Sequence, residues 1–155
     1  MSLYLFIKVV HIVTATILFG TGLGIAFFMF RSRFTEDSYE KFFAIRNTVV
    51  ADYIFTAPAA VLQPATGAWL IWTGGYGWDE TWLSITYVLY AVAALCWLPV
   101  VWIQIRLKQI VTSCLTTGKP LPSQYHALFR VWFALGWPAF LALVAIFFLM
   151  VVKPS

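Results

Sequence analysis

A lysine and a histidine lie three residues apart in the apolar segment IKVVHIVTATILFGTGLG, from Ile7 to Gly24. Lys8 is close enough to the start of this segment for its ammonium group to snorkel to the membrane surface. His11 lies about 15 Å along a helix, so its imidazole must face other helices. A neutral imidazole there is a candidate axial ligand for a haem iron, with room for a flat macrocycle beside Ala15 and Gly22. The alternative is a neutral histidine that is hydrogen-bonded to a glutamine or tyrosine across the bundle.

A second polar stripe lies on the next apolar segment. Asp52, Thr56 and Gln63 follow one another at helical spacing, so they share one face of a helix. A carboxyl group at that depth must be paired or protonated, and we expect Arg106 or Arg130 from a neighbouring helix to pair with Asp52. Such a pair would be either a structural ion pair that sets the helix register or part of a proton path.

The third apolar segment carries Tyr90, Trp97 and Gln104 one heptad apart, on one helix face. Aromatic residues at this spacing form either a packed core or the wall of a cofactor pocket. With His11 as the one ligand, the iron is five-coordinate unless Gln63, a tyrosine or water takes the sixth position. The predicted polar cluster comprises Asp52, Thr56, Gln104, Arg106 and Arg130, and the predicted haem pocket comprises His11 as the metal ligand with Lys8, Gln63, Tyr90 and Trp97.

These side chains must be positioned by membrane-spanning helices. The 155 residues are 62% hydrophobic and only 10% charged, which is the composition of an integral membrane protein. Because about 20 apolar residues cross a bilayer core, four apolar runs predict an all-α, up-down four-helix bundle that forms one domain, 1–155. A separate interfacial helix, capped near Thr35, is predicted between the first two spans. The predicted spans are about 3–30, 48–73, 81–105 and 131–152.

The distribution of charge predicts the orientation in the membrane. The basic residues cluster in the loops after the first and third spans, whereas the loop between the second and third carries only Asp79 and Glu80. By the positive-inside tendency, both basic loops face the cytoplasm and both termini face the periplasm. We therefore expect a multi-pass protein of the bacterial inner membrane, in contact with the lipid bilayer. The sequence has no run of arginines suited to nucleic acid and no nucleotide-binding or nucleophile motif.

Gly20 and Gly24 have the Gly-x-x-x-Gly spacing that lets two helices approach closely. This spacing predicts helix packing, either within the bundle or between protomers. The chain could therefore associate with further copies of itself in a homo-oligomer or with a membrane redox partner.

Four segments, LFGTGLGIAFFM, ADYIFTAPAAVLQPATG, CWLPVVWIQIR and WFALGWPAF, together resemble a bacterial family of predicted four-helix integral membrane proteins of unknown function. More distantly, IKVVHIV and LFGTGL are similar to the opening of the haem-containing, membrane-bound protoporphyrinogen oxidase family and to the membrane domain of copper-resistance proteins. The oxidase resemblance implies that His11 is the haem ligand. That family also has an essential lysine in its third helix, where this chain has none, since Lys108 lies beyond the predicted span.

The function that we predict from these patterns is binding of b-type haem for electron transfer or haem-linked redox chemistry. One alternative is a non-catalytic accessory or assembly subunit, in which His11 is only hydrogen-bonded. The other is a small metal transporter or copper-handling protein, which the three methionines of the chain favour less.

Overall fold

The computed structural model describes residues 2–154 and is built from helices. Four helical stretches are long and apolar enough to cross a membrane, so the predicted all-α, four-helix membrane bundle is confirmed. The second stretch is one helix interrupted by a π turn, and the five α-helices are α1 Leu3–Arg31, α2 Ser38–Ala51, α3 Ala57–Gly74, α4 Thr81–Thr117 and α5 Ser123–Val152.

Three spans extend further than the sequence predicted, and always toward the loops rich in lysine and arginine. The helix predicted to start at residue 48 begins at Ser38, and those predicted for 81–105 and 131–152 occupy 81–117 and 123–152. At 37 residues α4 is about 55 Å long, well beyond a hydrocarbon core of about 30 Å. Hydropathy detects only the part of a helix inside lipid, which is why the charged extensions escaped it.

The predicted interfacial helix is therefore the first part of the second span. Its N-cap is Asp37, whose carboxylate accepts a hydrogen bond of 2.7 Å from the backbone N–H of Tyr39. Thr35, the residue predicted as the cap, lies just before the helix, and its hydroxyl oxygen accepts a hydrogen bond of 3.1 Å from the N–H of Asp37. The buried ammonium of Lys41 donates to the carbonyls of Ser32 and Thr35 at 2.9 and 2.7 Å. These two carbonyls, just after α1, thereby gain hydrogen-bond donors.

The π turn, Asp52–Thr56, joins α2 to α3. The N–H of Ala57 bonds to the carbonyl of Asp52, five residues earlier, and Pro58 follows with no N–H of its own. The wider turn shifts the helical register by one residue, and both Asp52 and Thr56 are buried. A π turn of this kind inside a membrane helix commonly coincides with a functional site.

The helices associate as two pairs. In one pair α1 packs on α3, and in the other α4 packs on α5, while α2 packs on α4 and joins the pairs. The start of α1 and the end of α5 lie at one end of the bundle, near residues 75–80, as shown by a Tyr4–Trp69 ring contact and by a Lys153–Tyr76 hydrogen bond of 2.8 Å. We call this the terminal end and the opposite one the basic end; which of them faces the periplasm stays a prediction.

Apolar cores close the two ends of the bundle. At the basic end α1, α2, α4 and α5 meet around Met29, Ile45, Leu107 and Phe129. At the terminal end a smaller core forms around Ile71, Trp82, Leu83 and Leu149. A cavity lies between these two cores.

Candidate functional site

The cavity has a volume of about 540 Å³ and lies between the two helix pairs. Its wall is almost entirely apolar and is formed by all four spans. Small residues such as Gly22 of α1, Ala60 of α3 and Ala93 of α4 line it together with aromatic rings of α5. Wall residues Val61 and Leu98 are also 69% and 60% exposed on the sides of the bundle. The cavity therefore opens sideways, where the hydrocarbon of the bilayer would lie.

Four polar side chains form one region of the wall, which we call the polar end of the cavity: Asp52, Thr56, Trp97 and Gln104. Asp52, Thr56 and Gln104 are only 3%, 5% and 1% exposed. Within residues 2–154, no hydrogen-bond partner exists for Asp52 Oδ2, Thr56 Oγ1, Trp97 Nε1 or Gln104 Oε1. Thr56, Trp97 and Gln104 all approach the Asp52 carboxyl but fall outside hydrogen-bond geometry. Four buried polar atoms without partners at one place are unusual, because each loses its hydration without compensation.

Three residues of the predicted polar cluster, Asp52, Thr56 and Gln104, therefore lie together in the structure. The predicted arginines do not join them, and this part of the prediction is wrong. Arg106 donates to Gln109 Oε1 at 2.8 Å, and Arg130 is exposed on α5. Residues two apart on a helix point in different directions, so the burial of Gln104 turns Arg106 away from the cavity.

Tyr90 lines the cavity with its ring, while its hydroxyl group is already engaged. The hydroxyl donates to the carbonyl of Ala60 on α3. That carbonyl has no partner within its own helix, because the residue four positions later is Pro64, which lacks an N–H. Tyr90 therefore ties α4 to α3 at a proline kink, a contact that the sequence pattern did not reveal.

His11 lies on the seam between α1 and α3. Its Nδ1 is 2.7 Å from Thr66 Oγ1, and the hydroxyl of Thr66 donates to the carbonyl of Leu62 at 2.6 Å. Because the Thr66 proton is used in that bond, His11 Nδ1 is the donor toward Thr66, and Nε2 keeps its lone pair. Gln63 binds the backbone of α1 instead of the imidazole, donating to the His11 carbonyl at 2.7 Å and to Thr14 Oγ1 at 2.5 Å.

The imidazole ring rests directly on α3 because residue 67 is glycine. A Cβ atom at Gly67 would lie 3.3 Å from His11 Cε1. The alternative of a histidine hydrogen-bonded across the bundle thus has a specific partner, Thr66, which sequence reasoning missed. A threonine one turn after Gln63, on the same face of α3, was the available signal.

The predicted haem-pocket residues do not form one site. Tyr90 and Trp97 line the cavity, whereas His11 and Gln63 belong to the seam and lie outside its wall. Leu18, the first α1 residue in the wall, lies about 10 Å farther along the helix than His11. Lys8 is exposed. The Nε2 of Gln63 is held by α1, and its role as a sixth ligand stays a prediction.

Gly20 and Gly24 do not bring α1 close to another helix of this chain. A Cβ atom at either position would meet no atom within 4 Å. The prediction of packing within the bundle is therefore wrong, while packing between protomers stays a prediction.

No group of three His, Cys, Asp or Glu side chains that could hold a metal ion occurs within residues 2–154. A search of curated proteins and of solved structures finds no significant match. The model of a family described as predicted integral membrane protein, DUF2269, matches residues 5–154. This match supports the resemblance to a family of integral membrane proteins. The distant resemblances to haem and copper proteins stay predictions. Since the match covers almost the whole sequence, the chain belongs to the DUF2269 family of predicted integral membrane proteins.

Proposed function

We propose that this protein binds a lipid-soluble amphiphile in the cavity between its two helix pairs. The apolar body of the ligand would lie along the cavity wall, and its head group would bind at the polar end. The observation that carries this proposal is the set of four buried polar atoms without partners at one place in an otherwise apolar cavity. Small-molecule sites combine an apolar wall with a few convergent polar groups in this way.

The energetics favour an occupied cavity. A polar group buried without a hydrogen bond costs about 1–3 kcal/mol, and the polar end has four such atoms. A ligand that bonds to them recovers part of this cost on binding. The sideways opening would admit it directly from the bilayer, so the ligand would not need to cross the end cores.

Binding can be followed through the tryptophans of the cavity wall, Trp97, Trp132 and Trp137. We expect 1-octanol to change the tryptophan fluorescence of the protein in nanodiscs in a saturable way, relative to empty nanodiscs. Ala93→Phe should abolish this change, because Ala93 lines the cavity and its replacement fills it. Ala91→Phe is the matched control, since Ala91 is exposed on the same helix. A change that does not saturate, or that survives in the Ala93 variant, would refute the proposal.

A second candidate function is ligation of haem b by His11, for electron transfer or haem-linked redox chemistry. The specific observation in its favour is the hydrogen bond from Nδ1 to Thr66, which leaves Nε2 as a free lone-pair donor. Ligating histidines characteristically hold their other ring nitrogen in this way. Haem bound there would supply one-electron chemistry, and the chain would provide one axial ligand.

The absorption spectrum of the purified protein, oxidised and then reduced with dithionite, tests this candidate. Haem ligation predicts a Soret band that is lost in His11→Ala and retained in His126→Ala, whose imidazole is exposed on α5. Thr66→Val should weaken haem binding about 10–100-fold by releasing the ring. A wild-type protein that stays colourless after expression with added haem precursor would exclude haem and leave the cavity proposal untouched.

A further inference from the structure

The ionisable side chain of the polar end narrows the class of ligand that the cavity could take. Asp52 is 3% exposed and lies in the cavity wall. Within residues 2–154, no Lys, Arg or His side chain belongs to the cavity wall. Arg106, the nearest basic residue along α4, is bonded to Gln109 instead. A carboxylate in so apolar a place is stabilised most by a cation that approaches it closely.

The hydrogen-bonding groups of the polar end also favour a cationic ligand. Asp52 Oδ2 and Gln104 Oε1 are two oxygen acceptors without partners in one region of the wall, beside the unpartnered Thr56 hydroxyl, which can accept or donate, and the unpartnered Trp97 N–H. A primary ammonium group has three N–H donors and no acceptor, so it can donate to the Asp52, Gln104 and Thr56 oxygens at once. An ether or ketone head would offer the oxygens no donor, and a hydroxyl would offer one.

The aromatic wall adds an attraction for positive charge. Tyr90, Trp97, Trp132 and Trp137 all line the cavity. The faces of aromatic rings attract cations within about 6 Å, most strongly when water is excluded. We infer that the cavity selects lipophilic cations, namely protonated primary amines with an apolar tail, an assignment that rests on the proposed function.

Three probes of equal chain length test this assignment: octylammonium, 1-octanol and methyl octyl ether. Each is titrated into the protein in nanodiscs of zwitterionic lipid, with empty nanodiscs as the reference for partitioning. We expect octylammonium to bind about tenfold or more tightly than 1-octanol, and the ether most weakly, because charge-assisted hydrogen bonds are about twice as strong as neutral ones.

Asp52→Asn keeps the shape of the side chain and removes its charge. We expect this variant to bind octylammonium and 1-octanol with affinities within about threefold of each other. Asp79→Asn is the matched control, since Asp79 is exposed in the loop before α4, and it should keep the wild-type preference. A preference for the cation that persists without the Asp52 charge would overturn the inference.

The wild-type ranking decides the matter even if the Asp52 variant does not fold. Equal binding of the cation and the alcohol would overturn the inference and leave the proposed function standing. If none of the three probes binds saturably, both the inference and the proposed function fail.

Discussion

Tyr90→Phe should destabilise the bundle through a carbonyl on another helix. The Tyr90 hydroxyl donates to the carbonyl of Ala60. This carbonyl has no helical donor, because Pro64, four residues later, has no N–H. Removing the hydroxyl leaves this acceptor unpaired within the apolar part of the bundle. Pro64→Ala restores an N–H four residues after Ala60, so it should make the Tyr90 hydroxyl dispensable.

The magnitude follows from what the carbonyl loses. An unsatisfied buried acceptor costs about 1–3 kcal/mol, and hydrogen bonds between membrane helices are worth at most about 1.7 kcal/mol. We therefore expect Tyr90→Phe to lower the free energy of unfolding by about 1–2 kcal/mol. In the Pro64→Ala background the same substitution should cost less than about 0.5 kcal/mol, which is a clear coupling in a double-mutant cycle.

The assay is reversible unfolding in mixed micelles of increasing dodecyl sulfate content, followed by circular dichroism. Tyr87→Phe is the control, because Tyr87 is exposed on the same helix and should have little effect on stability. Equal costs of Tyr90→Phe with and without Pro64 would refute the reasoning. So would a Tyr87 variant as unstable as the Tyr90 variant.

Two further substitutions test contacts that position the helices. Gly67→Ala should be less stable than Gly20→Ala by about 1 kcal/mol. A Cβ atom at residue 67 would lie 3.3 Å from the His11 ring, whereas a Cβ atom at residue 20 would meet no atom within 4 Å. Equal thermal unfolding temperatures of the two variants would contradict this prediction. Lys41→Met should lower the free energy of unfolding by about 1–3 kcal/mol, since two carbonyls after α1 lose a charged donor, whereas Lys119→Met on the exposed loop should have little effect in the same micelle assay. A Lys41 variant as stable as the wild type would show that water replaces the ammonium at no cost.

Apolar runs of sufficient length were enough to predict the number of spans and the all-α class. A bilayer core admits helices whose backbone groups are satisfied internally, so hydropathy alone identifies the spans. It does not identify their ends, because the charged extensions of α2, α4 and α5 lie where lipid imposes no constraint.

Helical spacing also identified part of the site. Asp52 and Thr56 are four residues apart, and Gln104 lies on a third span at a comparable depth, so burial brought the three together. The same reasoning misplaced Arg106, since its proximity in sequence to Gln104 says nothing about direction around the helix. It also overlooked the Trp97 N–H as a member of this group.

The sequence by itself determined the class of protein, the four spans and the stripes of polar residues on them, because local hydropathy and helical periodicity are properties of single segments. Only the tertiary structure decided which stripes face one another. The pairing of α1 with α3 and of α4 with α5 placed His11 on a seam and the Asp52 cluster in a cavity. Pairing depends on long-range packing among several helices of similar hydropathy, so no single segment contains this information.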